Sequence, residues 1–102
     1  MGTGSSPSDI RVETDVHMFV LNQIESTKAW LDPNDSAGLF KNKGDRTAYG
    51  NMIAVKLNMF LTLFKNAGAD FTIKDQAGRS VKDLLTEWKN RFPEGSIPDG
   101  IL

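Results

Sequence analysis

The sequence contains no cysteine, no marked excess of charge of one sign and no long apolar run. The absence of cysteine excludes disulfides, thiolate metal sites and cysteine nucleophiles, and it suits a reducing compartment. Twelve basic and thirteen acidic side chains give a formal charge of −1, which does not favour bulk binding to nucleic acid or to an anionic membrane. No apolar run approaches the roughly 20 residues that span a bilayer. We therefore expect an intracellular protein, of the cytoplasm or nucleus, with neither nucleic acid nor membrane as a partner.

The chain is long enough for one domain: it has 102 residues, of which 39% are hydrophobic and 25% charged. Those values are typical of a soluble folded domain. Residues 1–8 lack a basic or apolar region and are interpreted as a flexible leader or a cloning remnant. Residues 9–92 carry the periodic patterns of the domain, and residues 93–102 are expected to form an irregular tail.

An internal repeat organises these patterns. Residues suited to begin a helix recur at intervals of 33 positions, at Thr14, Thr47 and Ser80. A second set with the same interval lies five residues before each of them, at Asp9, Asn42 and Asp75. A period of 33 residues indicates a solenoid of stacked helical units.

The first two units are each predicted to contain a pair of helices, and the third only its first helix. After Thr14 the chain is apolar enough for a buried helix, and residues 26–31 form a short second segment. After Thr47 a helix over 48–55 is followed by an apolar stripe at helical spacing: Leu57, Phe60, Leu61 and Phe64. Residues 39–43, between Gly38 and Gly44, are expected to be extended. The third unit has its own helical stripe after Ser80, and Asp83 supplies a weak capping box.

The segment over residues 67–80 resembles the Gly-Ala-Asp hairpin and the Asp-x-x-Gly-x-Thr turn of ankyrin repeats. The residues from Thr14 to His17 are similar to the family's Thr-Pro-Leu-His element, with the proline replaced. The resemblance covers about two and a half divergent repeats, residues 9–92. It departs from the family between the paired helices, where glycine is usual and this chain has Gln23, Lys56 and Lys89. It implies an all-α repeat solenoid, an ankyrin-like helix-turn-helix stack with short β-hairpin-type loops.

The resemblance also implies a function, since ankyrin repeats bind partners on the concave surface of hairpins and first helices. The chain is then a protein–protein interaction module, a scaffold or adaptor fragment. The positions carried over as partner-binding are Lys41, Lys43, Arg46, Lys74, Gln76, Arg79, Glu87 and Trp88. Their basic character predicts an acidic or phosphorylated partner segment, with Trp88 as an aromatic anchor. The alternative interpretation is that these are solvated charges at loop tips.

Other functions follow less directly from these residues. The chain could instead be a structural or regulatory segment packed against other domains of a larger enzyme or regulator. An enzyme is not expected, because nothing assembles a nucleophile, a base and oxyanion donors; neither a cofactor nor a metal site is expected. His17, the only histidine, is assigned a hydrogen-bonding role beside the cap threonine. Exposed end repeats would also permit weak self-association.

Overall fold

The computed structural model describes residues 15–32 and 40–102, which form three helices joined by loops. These are α1 (His17–Leu31), α2 (Lys43–Asn66) and α3 (Val81–Trp88). Within the two described ranges there is no β-strand, only an isolated antiparallel bridge between Lys74 and Ser80. The prediction of an all-α chain is confirmed at this level. The predicted leader over 1–8 and the predicted cap at Thr14 lie outside the described residues.

The first helix, α1, is continuous. Its buried face includes Val20, Ile24 and Thr27, at the i, i+4 and i+7 spacing of one helix face. The buried hydroxyl of Thr27 donates to the Gln23 carbonyl at 2.8 Å, so this polar group is satisfied within the helix. The prediction of a separate segment over 26–31 was wrong, because neither glycine nor proline interrupts the helix between residues 17 and 31.

The second helix, α2, begins one turn earlier than predicted. Asn42 is its N-cap, and the Asn42 side chain accepts a hydrogen bond from the Asp45 backbone N–H at 2.8 Å. Thr47, the predicted cap, lies inside the helix, where its hydroxyl donates to the Lys43 carbonyl at 3.1 Å. Asparagine is among the strongest N-cap residues, and it precedes Thr47 along the chain. The expectation of an extended stretch reaching Lys43 was therefore wrong; its other end, at residue 39, is not described.

The same helix also runs on without the predicted break near Lys56. It has 24 residues, or about 36 Å at 1.5 Å per residue. A second helix would need a turn at this point, and a left-handed turn residue is costly without glycine. Lysine is instead a good helix former. The paired helices of the predicted second unit are consequently one element.

The third helix, α3, begins at the predicted residue. Ser80 is its N-cap and accepts from the Asp83 backbone N–H at 3.0 Å. The Asp83 carboxylate in turn accepts from the Ser80 backbone N–H, also at 3.0 Å. This reciprocal pair is a capping box, and it confirms the prediction made from the spacing of these two residues.

The hydrophobic core is centred on α1, which packs against both α2 and α3, while these two helices contact each other less. The residues buried in it come from all three helices, the 67–80 loop and the C-terminal segment: Val16, Val20, Ile24, Ile53, Leu57, Leu61, Phe71, Val81, Leu84, Leu85, Phe92 and Ile101. Phe19 of α1 adds ring contacts to α2, with centroids 5.1 Å from Phe60 and 5.7 Å from Phe64. The core is thus a junction of three elements with α1 shared.

The segment over 93–102 has no helix or strand but packs back onto α2. Ser96 and Ile101 are buried. The Asn58 side chain donates to the Gly95 carbonyl at 3.1 Å, and Lys65 donates to the Gly100 carbonyl at 3.2 Å. The irregular C-terminal segment therefore contributes to the core although it lacks regular structure.

No helix in the part of the chain described above has the length and hydropathy required to cross a membrane.

The contact between Trp30 and Gly50 yields a stability prediction. The Trp30 indole N–H donates to the Arg46 carbonyl at 2.9 Å, and a Cβ added at Gly50 would lie 2.7 Å from that indole. Gly50→Ala should therefore destabilise the protein by about 1–3 kcal/mol, although alanine is the better helix former. In a Trp30→Leu background the same change should be neutral or stabilising, by up to about 1 kcal/mol. Urea unfolding of the four proteins measures this; a stabilising Gly50→Ala in the wild-type background would contradict the packing.

Candidate interaction surfaces

The 67–80 loop, where the sequence signal was most specific, starts with a sharp end to α2. Gly68 has a φ of +89°, a left-handed conformation that glycine adopts without a steric cost. The backbone N–H of Ala69 donates to the Phe64 carbonyl at 3.0 Å, which satisfies one of the free carbonyls of the last helical turn. Asp70 then accepts from both the backbone N–H and the hydroxyl of Thr72, at 2.9 and 2.6 Å.

The second half of the loop is ordered by Asp75. Its carboxylate accepts from the backbone N–H groups of Ala77 and Arg79, at 2.9 and 3.0 Å. Gly78 again has a positive φ, +82°. These short-range bonds close an Asx-type turn, so the Asp-x-x-Gly element produces a defined loop directly before the cap of α3.

Hydrogen bonding lowers the pKa of three carboxyl groups in this region. For Asp70 the largest cause is the Thr72 hydroxyl, and for Asp75 it is the Arg79 backbone N–H. For Asp83 the Ser80 backbone N–H, followed by Lys74, lowers the pKa to about 2. All three carboxylates are therefore ionised in the folded loop near neutral pH.

The structure brings four of the predicted site residues together on this loop and α3. Lys74 forms an ion pair with Asp83 at 3.1 Å, and Arg79 forms one with Glu87 at 2.8 Å. Gln76, between them, is exposed. The two carboxylates offset the basic charge expected here, so this surface carries both signs. We call it the loop–α3 surface, defined by Lys74, Gln76, Arg79, Asp83 and Glu87.

Trp88, the predicted aromatic anchor, lies at the end of α3 and is half-buried. Its ring centroid is 6.3 Å from that of Phe92. Arg91 and Lys28 lie over the ring, with their charged groups 5.1 and 5.9 Å from its centroid. The indole thus packs against the core while two cations lie over its ring, the usual geometry of a cation–π contact.

The other three predicted site residues lie at the start of α2. Lys41 and Lys43 are exposed, and Arg46 is half-buried. The Arg46 guanidinium donates to the Asp32 carbonyl at 3.4 Å and lies 5.5 Å from the centroid of the Phe40 ring. No hydrogen bond or ion pair between described residues joins this group to the loop–α3 surface. The eight predicted residues therefore occupy two places in the structure.

His17 connects the loop to the core. It is buried, and its Nε2 is 2.9 Å from the Arg79 carbonyl, to which it donates. The predicted partner was the cap threonine of its own unit, Thr14, which lies outside the described residues. The observed contact fastens α1 to the residue that precedes the cap of α3, which is a structural role.

One exposed surface was missed at the sequence level: the outer face of α2. Four apolar side chains there are between 49% and 65% exposed, Met52, Val55, Met59 and Leu63. Their spacing of three or four residues places them on one side of the helix. The sequence carries this spacing too, but the stripe of Leu57, Phe60, Leu61 and Phe64 on the other side already accounts for an amphipathic helix, so the pattern does not point to a second apolar face. We call the exposed set the outer stripe.

Comparison of the chain with protein-family models, with curated proteins and with solved structures gives no match. The resemblance to ankyrin repeats therefore rests on the residues alone.

The lowered pKa of Asp83 predicts a pH dependence. A carboxylate with a depressed pKa adds stability that is complete above its ordinary pKa of about 4 and is lost as the pH falls toward the folded value. Asp83→Asn should therefore lower the thermal midpoint at pH 6. The gap, meaning the difference in thermal midpoint between this variant and the wild type, should narrow between about pH 4 and pH 2. Asp99→Asn, at an exposed position outside the loop, is the control. Calorimetry across this range measures the gap, and a gap independent of pH would contradict the assignment.

Proposed function

We propose that the chain is a protein–protein interaction module that binds a partner through the loop–α3 surface. The observation that carries this proposal is the fixed geometry of its exposed charges. The paired side chains of Lys74 and Asp83 are 62% and 50% exposed, and those of Arg79 and Glu87 are 55% and 51% exposed. Exposed ion pairs contribute little to folding. These four ordered side chains can therefore serve recognition of a partner instead.

Preorganisation supports the proposal. The carboxylates of Asp70 and Asp75 hold the loop through backbone N–H groups, and the capping box fixes its junction with α3. A partner that binds an ordered loop does not have to order it, which removes part of the entropic cost of association. His17 adds a tie from the core to the Arg79 carbonyl. The backbone of the surface is therefore held by hydrogen bonds where a partner would touch it.

The partner chemistry that we propose is an acidic or phosphorylated segment of another protein. An incoming carboxylate or phosphate would exchange with Glu87 for the Arg79 guanidinium, and guanidinium groups bind phosphate in a bidentate manner. Trp88, flanked by Lys28 and Arg91, would supply the adjacent apolar contact. The ankyrin-type repeat stack belongs to the same proposal: the turn and cap over residues 67–80 support it, whereas the continuous helices α1 and α2 depart from the paired helices of such a stack.

A second candidate function is a structural segment packed against other domains of a larger enzyme or regulator. An exposed apolar face on residues 81–92 would favour it, but Leu84, Leu85 and Phe92 are buried. The observation that does favour it is the outer stripe of α2. A helix that is apolar on two sides is commonly covered on both.

Site-specific photo-crosslinking in the cells that express the chain tests the binding module. Benzoylphenylalanine at Gln76 should give a covalent adduct with a different protein, whereas the same group at Asn66, exposed at the end of α2, should not. Exchanging the charges with Arg79→Glu and Glu87→Arg keeps the internal ion pair but reverses what a partner meets. The adduct should then fall by about tenfold or more, because the contacts to charged groups are lost.

The thermal midpoint of the exchanged variant serves as its control, since the fold should be retained. Equal adducts at the two positions, or an adduct indifferent to the charge exchange in a folded variant, would contradict binding at this surface.

A further inference from the structure

The outer stripe of α2 is an apolar surface that residues 15–32 and 40–102 leave uncovered. Val55 is 65% exposed and Met59 49% exposed, whereas Leu57, between them in sequence, is fully buried. Residues two positions apart on a helix point in nearly opposite directions, about 200° apart. The helix therefore presents one apolar face to the core and another to the surface. The loop–α3 surface shares no residue with this second face.

Two charged side chains lie on the same outer face. Lys56 is four residues after Met52 and three before Met59, and Asp45 is seven residues before Met52. Both are exposed. Lys56 follows Asp45 by 11 positions, or about three helical turns. The two charges therefore project from one side of the helix, about 16 Å apart along its axis. No other acidic residue occurs in α2.

These charges are available to a partner. Lys56 has no ion pair with any described residue. The Asp45 carboxylate accepts a hydrogen bond from the Lys41 backbone N–H at a long 3.3 Å. The acid and the base lie on one face at a fixed separation, with Ala48, Met52 and Val55 between them in sequence. Such a face matches a surface with the same two charges in reverse order.

We propose that the occupant of this face is a second copy of the chain, packed through α2 in an antiparallel pair. When the two helices run in opposite directions about a two-fold axis near Gly50, Asp45 of each copy lies level with Lys56 of the other. A two-fold axis between the helices keeps equivalent residues on the same side of the dimer, so each Asp45 faces the Lys56 of the other copy across the helix–helix interface. Two identical ion pairs then flank a core that contains Ala48 and Met52 of both copies.

Charge also decides against other arrangements. A parallel pair would place Lys56 level with Lys56 and Asp45 level with Asp45. An antiparallel pair centred on the outer stripe itself would bring the two Lys56 side chains within one helical turn of each other, which is unfavourable. The antiparallel register that pairs Asp45 with Lys56 avoids both of these contacts between like charges. The opposed helix dipoles stabilise it further.

The depression at the start of α2 receives the other end of the stripe. It is lined by Phe40, Asp45, Ala48, Tyr49 and Met52. In this register Met59 of the second copy lies level with Asn42, beside this depression, and Val55 lies level with Arg46. Methionine is flexible enough to fill an irregular apolar site of this kind. Leu63 lies beyond the overlap of the two helices.

Sedimentation velocity of the full chain, from about 10 μM to about 1 mM, tests the pairing. The wild type should show a reversible monomer–dimer equilibrium. Lys56→Glu and Asp45→Lys should each weaken it by about tenfold or more, because each places like charges opposite one another twice. Lys65→Glu makes the same reversal elsewhere on α2, where Lys65 donates to the Gly100 carbonyl, and should leave the equilibrium unchanged.

Mixing the two weakened variants isolates the proposed contact. The Lys56→Glu chain then offers carboxylates at both positions and the Asp45→Lys chain offers lysines, so a heterodimer should form at least as tightly as the wild-type dimer. A wild type that stays monomeric at about 1 mM, single reversals without effect, or a mixture that remains monomeric would each overturn the proposal. Circular dichroism of each variant confirms that it is folded before it is counted.

Discussion

A helix that is apolar on two opposite sides governs this structure. Along α2, exposed and buried apolar residues alternate in sequence from Val55 through Leu57, Met59 and Leu61 to Leu63. In a strand, residues two positions apart would all lie on one face. In a helix of 3.6 residues per turn they point alternately to opposite sides, which gives two apolar faces. The inner face joins α1 in the core. The outer face is covered by none of the described residues, and it carries the pairing that we propose.

The shared position of α1 follows from the same constraint. Because α2 is a single helix, it cannot fold back on itself to cover its own inner face, and α1 supplies that cover. α1 also contacts α3, and His17 donates to the Arg79 carbonyl at the junction of α3 with the loop. The C-terminal segment closes the remaining side with Ile101. A small core is thereby completed from three helices and a segment without regular structure.

Sequence reasoning succeeded where the deciding interactions are local. Gly68, Asp75, Gly78 and the pair of Ser80 and Asp83 act within a few residues of one another, and their geometry follows the predicted turn and cap. It failed at Thr47, because the competing cap, Asn42, had been noted only as part of a repeat. It also failed to predict that α2 is one continuous helix. Lys56 stands where the two predicted helices would be joined, and lysine does not favour the left-handed turn that glycine would allow there. The outer stripe was missed because one apolar face already satisfied the helix pattern, and only tertiary packing shows which face is buried.

The most direct test of this account replaces the outer stripe as a whole. Met52, Val55, Met59 and Leu63 are each changed to Gln, a good helix former, and urea unfolding is compared with the wild type and with Leu57→Ala. The account predicts that the fourfold variant keeps the free energy of unfolding within about 1 kcal/mol, while Leu57→Ala loses about 2–5 kcal/mol. A fourfold variant that unfolds as readily as Leu57→Ala would show that the outer face already belongs to the core, and would contradict the account.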